Sequence, residues 1–221
     1  MTLAGAAASR GQAVPVVHAV TNDEVVGRAD FIDVACAVMR ALGPRGALHL
    51  RASRLSGSRF QTLAEGLSAA QGLTGGALIV NDRIDVALVA GARGVQLTSR
   101  SLATTDARRI APALLLGASV HDIAEGVAAA AAGADWLVAG QLFPAVSHVG
   151  APERGVAWVH TLVSAVTVPV IAIGGVRSEH VPALRRAGVH GVAVIRGIWD
   201  AVNAEQAASD YLSSYDEAGS P

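Results

Sequence analysis

Val168-Pro-Val-Ile-Ala-Ile-Gly-Gly175 and Gly191-Val-Ala-Val-Ile-Arg-Gly-Ile198 decide the fold of this chain. Each is an apolar, largely β-branched run that leads into glycine. A strand covered on both faces reads this way, because neither face meets water. The glycines remove side chains, so backbone N–H groups can approach an anion closely. Two such strands, closing an alternating strand–helix chain, match the phosphate-holding end of a (β/α)8 or TIM barrel, after its seventh and eighth strands.

The same grammar recurs toward the N-terminus. Strands are expected at Val14–Thr21, Ala47–Arg51, Ala77–Val80, Gly94–Leu97, Leu114–Ser119, Trp136–Ala139, Val168–Ile173 and Gly191–Ile195. Helices are expected at Phe31–Ala41, Phe60–Gln71, Ile84–Ala90, Leu102–Ile110, His121–Ala132, Gly155–Val166, Ser178–Ala187 and from about Asp200 to Tyr211. Eight strand–helix pairs with short connections imply a parallel sheet, and eight strands allow it to close. Ala-Gly turns recur before strands four, six and eight, at Gly91, Gly133 and Gly188. Glycine there ends a helix in the left-handed conformation. No linker divides the chain, so residues 1–221 read as one barrel domain, with residues 1–12, rich in small side chains, as a flexible lead-in.

Composition excludes several classes. Of 221 residues, 52% are hydrophobic and only 16% charged, the balance of a core of doubly covered strands. No apolar run reaches the roughly 20 residues of a membrane span. A net charge of -1 without a basic stripe speaks against nucleic acid and anionic membranes as partners. The single cysteine, Cys36, lies in an apolar stretch and reads as a buried structural thiol. One cysteine cannot form an internal disulfide, which fits a reducing cytoplasm.

In such a barrel the chemistry sits at the C-terminal ends of the strands. Those ends carry Thr21, His49, Arg51, Ser53, Asn81, Asp82, Gln96, Ser99, Arg100, Ser119, His121, Gln141, Ser147, Gly174, Gly175, Arg196 and Gly197. His121 is the most reactive candidate, since histidine exchanges protons near neutrality. Its position equally suits an idle residue at the start of a helix. Arg51 can bind a carboxylate or phosphate in two-pronged fashion, or pair within the barrel. Asn81 and Asp82 suit ligand contact and also suit capping of the following helix. His18 and His49 fall inside strands and read as satisfied interior groups; His160, His180 and His190 read as solvent-facing. A Mg²⁺–diphosphate site needs carboxylates at the mouth. Asp82 is one, but the end of strand four, Gln96-Leu-Thr-Ser-Arg-Ser101, has none, and its arginine would repel a cation. No metal ligand set and no cofactor is expected.

These features together resemble the thiamin phosphate synthase / TenI superfamily over residues 14–198. The stretches that carry the resemblance are Leu78-Ile-Val-Asn-Asp-Arg-Ile-Asp-Val-Ala-Leu88, Gly91-Ala-Arg-Gly-Val-Gln-Leu97, Gly117-Ala-Ser-Val-His121, Gly133-Ala-Asp-Trp-Leu137 with Gly140-Gln-Leu-Phe-Pro144, and Ile173-Gly-Gly-Val176. The resemblance implies one of two activities. The synthase branch joins a pyrimidine diphosphate to a thiazole phosphate using Mg²⁺, and it carries Gln-x-Arg-x-Lys after strand two, an Asp after strand four and Thr-Lys after strand six. This chain has His49-x-Arg51-x-Ser53, Ser99-Arg100-Ser101 and Ser147-His148 instead. The tautomerase branch isomerises a carboxythiazole phosphate without metal, with a histidine at the position of His121 as acid and base. Arg-Ser at strand four is typical of that branch, while Ser53 and Arg196 depart from it. The resemblance therefore implies a thiazole tautomerase, with His121 catalytic and Arg51, Asn81, Ser119, Gly174, Gly175, Arg196 and Gly197 binding a small-molecule thiazole phosphate. A divergent thiamin phosphate synthase and a non-catalytic thiazole-phosphate-binding regulator are the alternatives, and a homodimer is left open.

Overall fold

A computed structural model describes residues 13–144 and 153–219. Within them eight parallel strands close a barrel: β1 (Val17–Val20), β2 (Gly46–Leu50), β3 (Ala77–Asn81), β4 (Gly94–Leu97), β5 (Leu115–Val120), β6 (Trp136–Ala139), β7 (Val170–Ile173) and β8 (Gly191–Val194). Every strand pairs with its neighbours in chain order, and β1 pairs with β8. The outer helices are α1 (Asp23–Val26), α2 (Phe31–Leu42), α3 (Gly57–Thr74), α4 (Ile84–Ala90), α5 (Thr104–Ile110), α6 (Ile123–Ala131), α7 (Gly155–Ala165), α8 (Val181–Arg186), α9 (Arg196–Trp199) and α10 (Ala204–Glu217). None is long and apolar enough to cross a membrane.

All eight expected strands are present, two of them shortened by proline. β1 starts at Val17 and β7 at Val170, each beyond a proline (Pro15, Pro169) that has no N–H to give to a ladder. Gly91, Gly133 and Gly188 have φ of 70°, 93° and 84° and stop their helices as expected. Three pieces are new: α1, α9 and a 3-10 turn at Gly43–Arg45. Each is too short to show an apolar period. Cys36 packs against the core but is half-buried rather than buried. The expected lead-in, residues 1–12, lies outside the described residues.

Side chains alternate across the strands. Leu48, Leu50, Leu78, Val80, Leu116 and Leu137 face the helices in the larger core, while Val20, Ala47, Ala77, Ile79, Leu115, Trp136, Val138, Ile171 and Ala193 fill the barrel. His18 and His49 share that interior, fully enclosed, as expected of satisfied interior groups. The Pro15 carbonyl can only accept, so His18 Nε2 donates to it at 2.8 Å. His18 Nδ1 is then an acceptor, and His49 Nε2 donates to it at 2.7 Å. Burial pushes His18 from 6.5 down to about 4, against the raising effect of the Pro15 bond and with a further push from His190. Burial, then His18, lowers His49 as well.

Both histidines are thus neutral in the fold and bind protons more readily once unfolded. Their contribution to stability is complete above pH 6.5 and is lost as pH falls toward 4, by about 3 kcal/mol from His18 alone. Urea midpoints should therefore drop over this window, and His18→Leu/His49→Leu should flatten that drop. Equal pH dependence in the wild type and the double variant would contradict the assignment.

Candidate functional site

The C-terminal mouth of the barrel holds a cavity of about 290 Å³ beside the ends of β2, β3 and β4, lined by Arg51, Ser53, Asn81, Asp82, Arg83 and Arg100 among others. The β2 end is fixed by Thr21, whose hydroxyl donates to Arg51 O and accepts from Arg51 N. Ser53 is tied down by α1: Asp23 accepts from its N–H at 2.8 Å and its hydroxyl at 2.6 Å. Arg83 is spent on Asp85, which accepts its Nε at 2.8 Å. The Arg51 guanidinium makes no ion pair among the described residues.

Asn81 and Asp82 do not cap α4, contrary to expectation. The cap position falls to Arg83, which makes no side-chain capping bond, because Asp82 adopts a left-handed φ of 62° and turns the chain one residue later. Strain of this kind concentrates at functional sites. It turns both residues toward the mouth, where they line the cavity. Asn81 is 7% exposed, and its Oδ1 is buried without a hydrogen-bond partner. Asp82 Oδ1 accepts from the hydroxyls of Thr98 at 2.5 Å and Ser101 at 2.6 Å, and Oδ2 lies 4.0 Å from Arg100 Nη2.

At β5 the barrel places Leu115, Gly117 and Ser119 on its inner face, and His121 follows one alternation later, at the rim. Inside, Trp136 Nε1 donates to Gln96 Oε1 at 3.0 Å, and Gln96 Nε2 donates to Ser119 Oγ at 3.0 Å. A Cβ on Gly117 would run into both Gln96 and Trp136, so only glycine fits. His121 does not join the cavity of Arg51 and Asn81. Its side chain is 60% exposed, and Glu125 accepts from both its backbone N–H (2.6 Å) and its Nδ1 (3.2 Å). The α6 cap is Asp122, which accepts from Glu125 N at 2.7 Å; His121 has no capping role. An ionised carboxylate only accepts, so Nδ1 is the donor in this contact.

At β7 and β8 the expected glycines sit in an unusual backbone. Gly174 and Gly175 have φ of 94° and 65°. The segment after β6 lies directly on them: Phe143 N donates to Gly174 O at 3.0 Å, and a Cβ on Gly175 would strike the carbonyls of Phe143 and Pro144. The N–H groups of Gly175, Val176, Arg196 and Gly197 donate to no acceptor among the described residues. Ser147 and His148 lie outside the described residues.

A family profile described as thiamine monophosphate synthase (TMP-TENI) matches residues 17–198. The chain belongs to that family. It is 38% identical over 181 residues to the thiamine-phosphate synthase of Methanoculleus marisnigri, covering 81% of this chain and 85% of the relative. It is 34% identical over 194 residues to that of Roseiflexus castenholzii, covering 87% and 84%. A solved thiamine phosphate pyrophosphorylase from Pyrococcus furiosus superposes with a TM-score of 0.80 at 26% identity, over 93% of this chain and 97% of that one.

In this member of the family the candidate site residues divide into three places on one rim. Arg51 and Asn81 share the cavity; Ser119 and His121 stand at the β5 end; Gly174, Gly175, Arg196 and Gly197 form the β7–β8 end. Glu125, Thr98, Ser101 and Tyr211 bear on these places and were not singled out from sequence. The i,i+4 spacing of His121 and Glu125 was the one available signal. Gly175→Ala should cost about 1–3 kcal/mol, from left-handed strain alone, with the two carbonyls adding to it. A urea midpoint equal to wild type would show that the loop can yield.

Proposed function

We propose that this chain is the metal-independent, proton-transferring kind of protein in its family, a thiazole tautomerase. The observation that carries the reading is the state of Asp82. Among the described residues it is the one carboxylate lining the cavity; two hydroxyls bond one of its oxygens, and the Arg100 guanidinium faces the other. Among the described residues no three His, Cys, Asp or Glu side chains gather to hold a metal ion. A lone carboxylate bonded by two hydroxyls and faced by a guanidinium does not fit Mg²⁺.

The substrate would be 2-(2-carboxy-4-methylthiazol-5(2H)-ylidene)ethyl phosphate. A proton leaves ring carbon C2, its electron pair enters the ring, and the exocyclic carbon takes up a proton. The product is the aromatic carboxythiazole with the same atoms. With Nδ1 donating to Glu125, His121 Nε2 is the nitrogen that accepts the first proton and returns one. Arg51 and Arg100 present cationic donors to the carboxylate. The N–H groups at Gly175 and at Arg196–Gly197 receive the phosphate.

The synthase reading has a specific observation in its favour: the curated relatives at 34% and 38% identity are named thiamine-phosphate synthase. One pair of assays separates the readings. The purified chain should convert the ylidene to the absorbing aromatic product without added metal, and should not condense pyrimidine diphosphate with thiazole phosphate in Mg²⁺. The reverse result would establish the transferase. His121→Asn should slow tautomerisation by about 10²-fold at nearly unchanged KM, the loss of one acid–base group. Arg51→Ala should instead raise KM by about tenfold or more, the loss of a charge-assisted bond.

A further inference from the structure

The two halves of the β7–β8 end are joined by an atom from outside the barrel. Tyr211, on α10, is 4% exposed, and its hydroxyl donates to Val176 O at 3.1 Å. Val176 directly follows Gly174–Gly175. A Cβ built on Gly197 would collide with the same hydroxyl oxygen and would meet Val194 at 3.0 Å. The hydroxyl therefore sits between the loop after β7 and the first turn of α9, touching both. Burial pushes the phenol up to about 12, so it stays a donor at every working pH.

From this we infer that Tyr211 is a positioning residue: its hydroxyl sets the spacing between the two backbone segments that grip the substrate phosphate. The inference rests on the phosphate assignment made above and holds for a tautomerase and a synthase alike. Backbone N–H groups from two separate segments can bond one phosphate only if their separation is held to about half an ångström. Neither segment bonds the other directly among the described residues, and Gly197 is bare because the hydroxyl needs its space. The ring packs in the core, so the distance is transmitted through a rigid body rather than a mobile side chain.

The test compares two neutral-ring probes, 4-methyl-5-(2-phosphooxyethyl)thiazole and its alcohol, by calorimetry. Wild type should prefer the phosphate ester strongly. Tyr211→Phe should cut that preference by about tenfold, the scale of one lost hydrogen bond, while the alcohol binds as before. Gly197→Ala supplies a second variant: it should lose the same preference, and Tyr211→Phe/Gly197→Ala should lose little more than either alone. An intact preference in folded Tyr211→Phe, or additive losses in the double variant, would overturn the positioning role while leaving the phosphate site standing. A wild type that binds both probes equally would instead remove the phosphate assignment, and the inference with it.

Discussion

The Trp136 indole lies inside a closed barrel whose interior volume is set by strand number and tilt, so everything around it must give way. Gly117 is bare because a Cβ would enter the ring, and Ala47, Ala77 and Ala193 keep the interior shallow. The indole N–H can only donate, and burial makes an unmet donor costly. Gln96 therefore turns its oxygen to Trp136 and its amide nitrogen to Ser119. Ser119 Oγ accepts that bond, which leaves its own hydrogen free to be donated elsewhere. A packing requirement deep in the barrel thus fixes the polarity of a side chain at its rim. The Pro15–His18–His49 chain works by the same logic beside the indole, its two imidazole centroids 6.1 and 6.5 Å from that ring.

A second constraint acts at the ends of β2, β3 and β4. The chain turns at Asp82 in a conformation that costs a non-glycine residue of order 1–3 kcal/mol, and neighbours hold it there. Thr98 and Ser101 bond its carboxylate, and Arg100 supplies the charge beside it. Asp23 likewise takes up the N–H and hydroxyl of Ser53 at the cavity edge. Positions that the synthase branch gives to lysine and a second carboxylate are thereby absorbed into the protein's own bonding. What remains facing the cavity is cationic Arg51 and Arg100 together with Asn81, a set suited to an organic anion.

The fold was legible because its signals are local and repeated: apolar β-branched runs, glycine helix stops and a helix between successive strands, the crossover that parallel neighbours need. Where a strand was misjudged, as at Val14 and Val168, the error was to count residues beside a proline that cannot join a ladder. The rim residues were legible as positions, since strand ends can be read from strand boundaries. Their roles were less so. Asn81 and Asp82 looked like caps because both are good caps, and only the left-handed turn at Asp82 shows otherwise. Tyr211 gave no signal: its partners lie 35 residues away or arise from a missing side chain at Gly197, and neither is visible along the chain.

The rim is unevenly built, and this has a consequence for the proposed reaction. The β7–β8 end is rigid, held by Tyr211, by the Phe143–Gly174 bond and by glycines where any added Cβ would be crowded. His121 stands at the opposite extreme, exposed and held by one surface carboxylate. An enzyme organised this way draws its positioning from the non-reacting end of the substrate, whose binding energy holds the ring while protons move at the other. Binding and chemistry are then separable by mutation. Changes at the phosphate end act on both, because a loosely held ring presents C2 and the exocyclic carbon poorly to a single base. Changes at His121 act on the proton transfers alone.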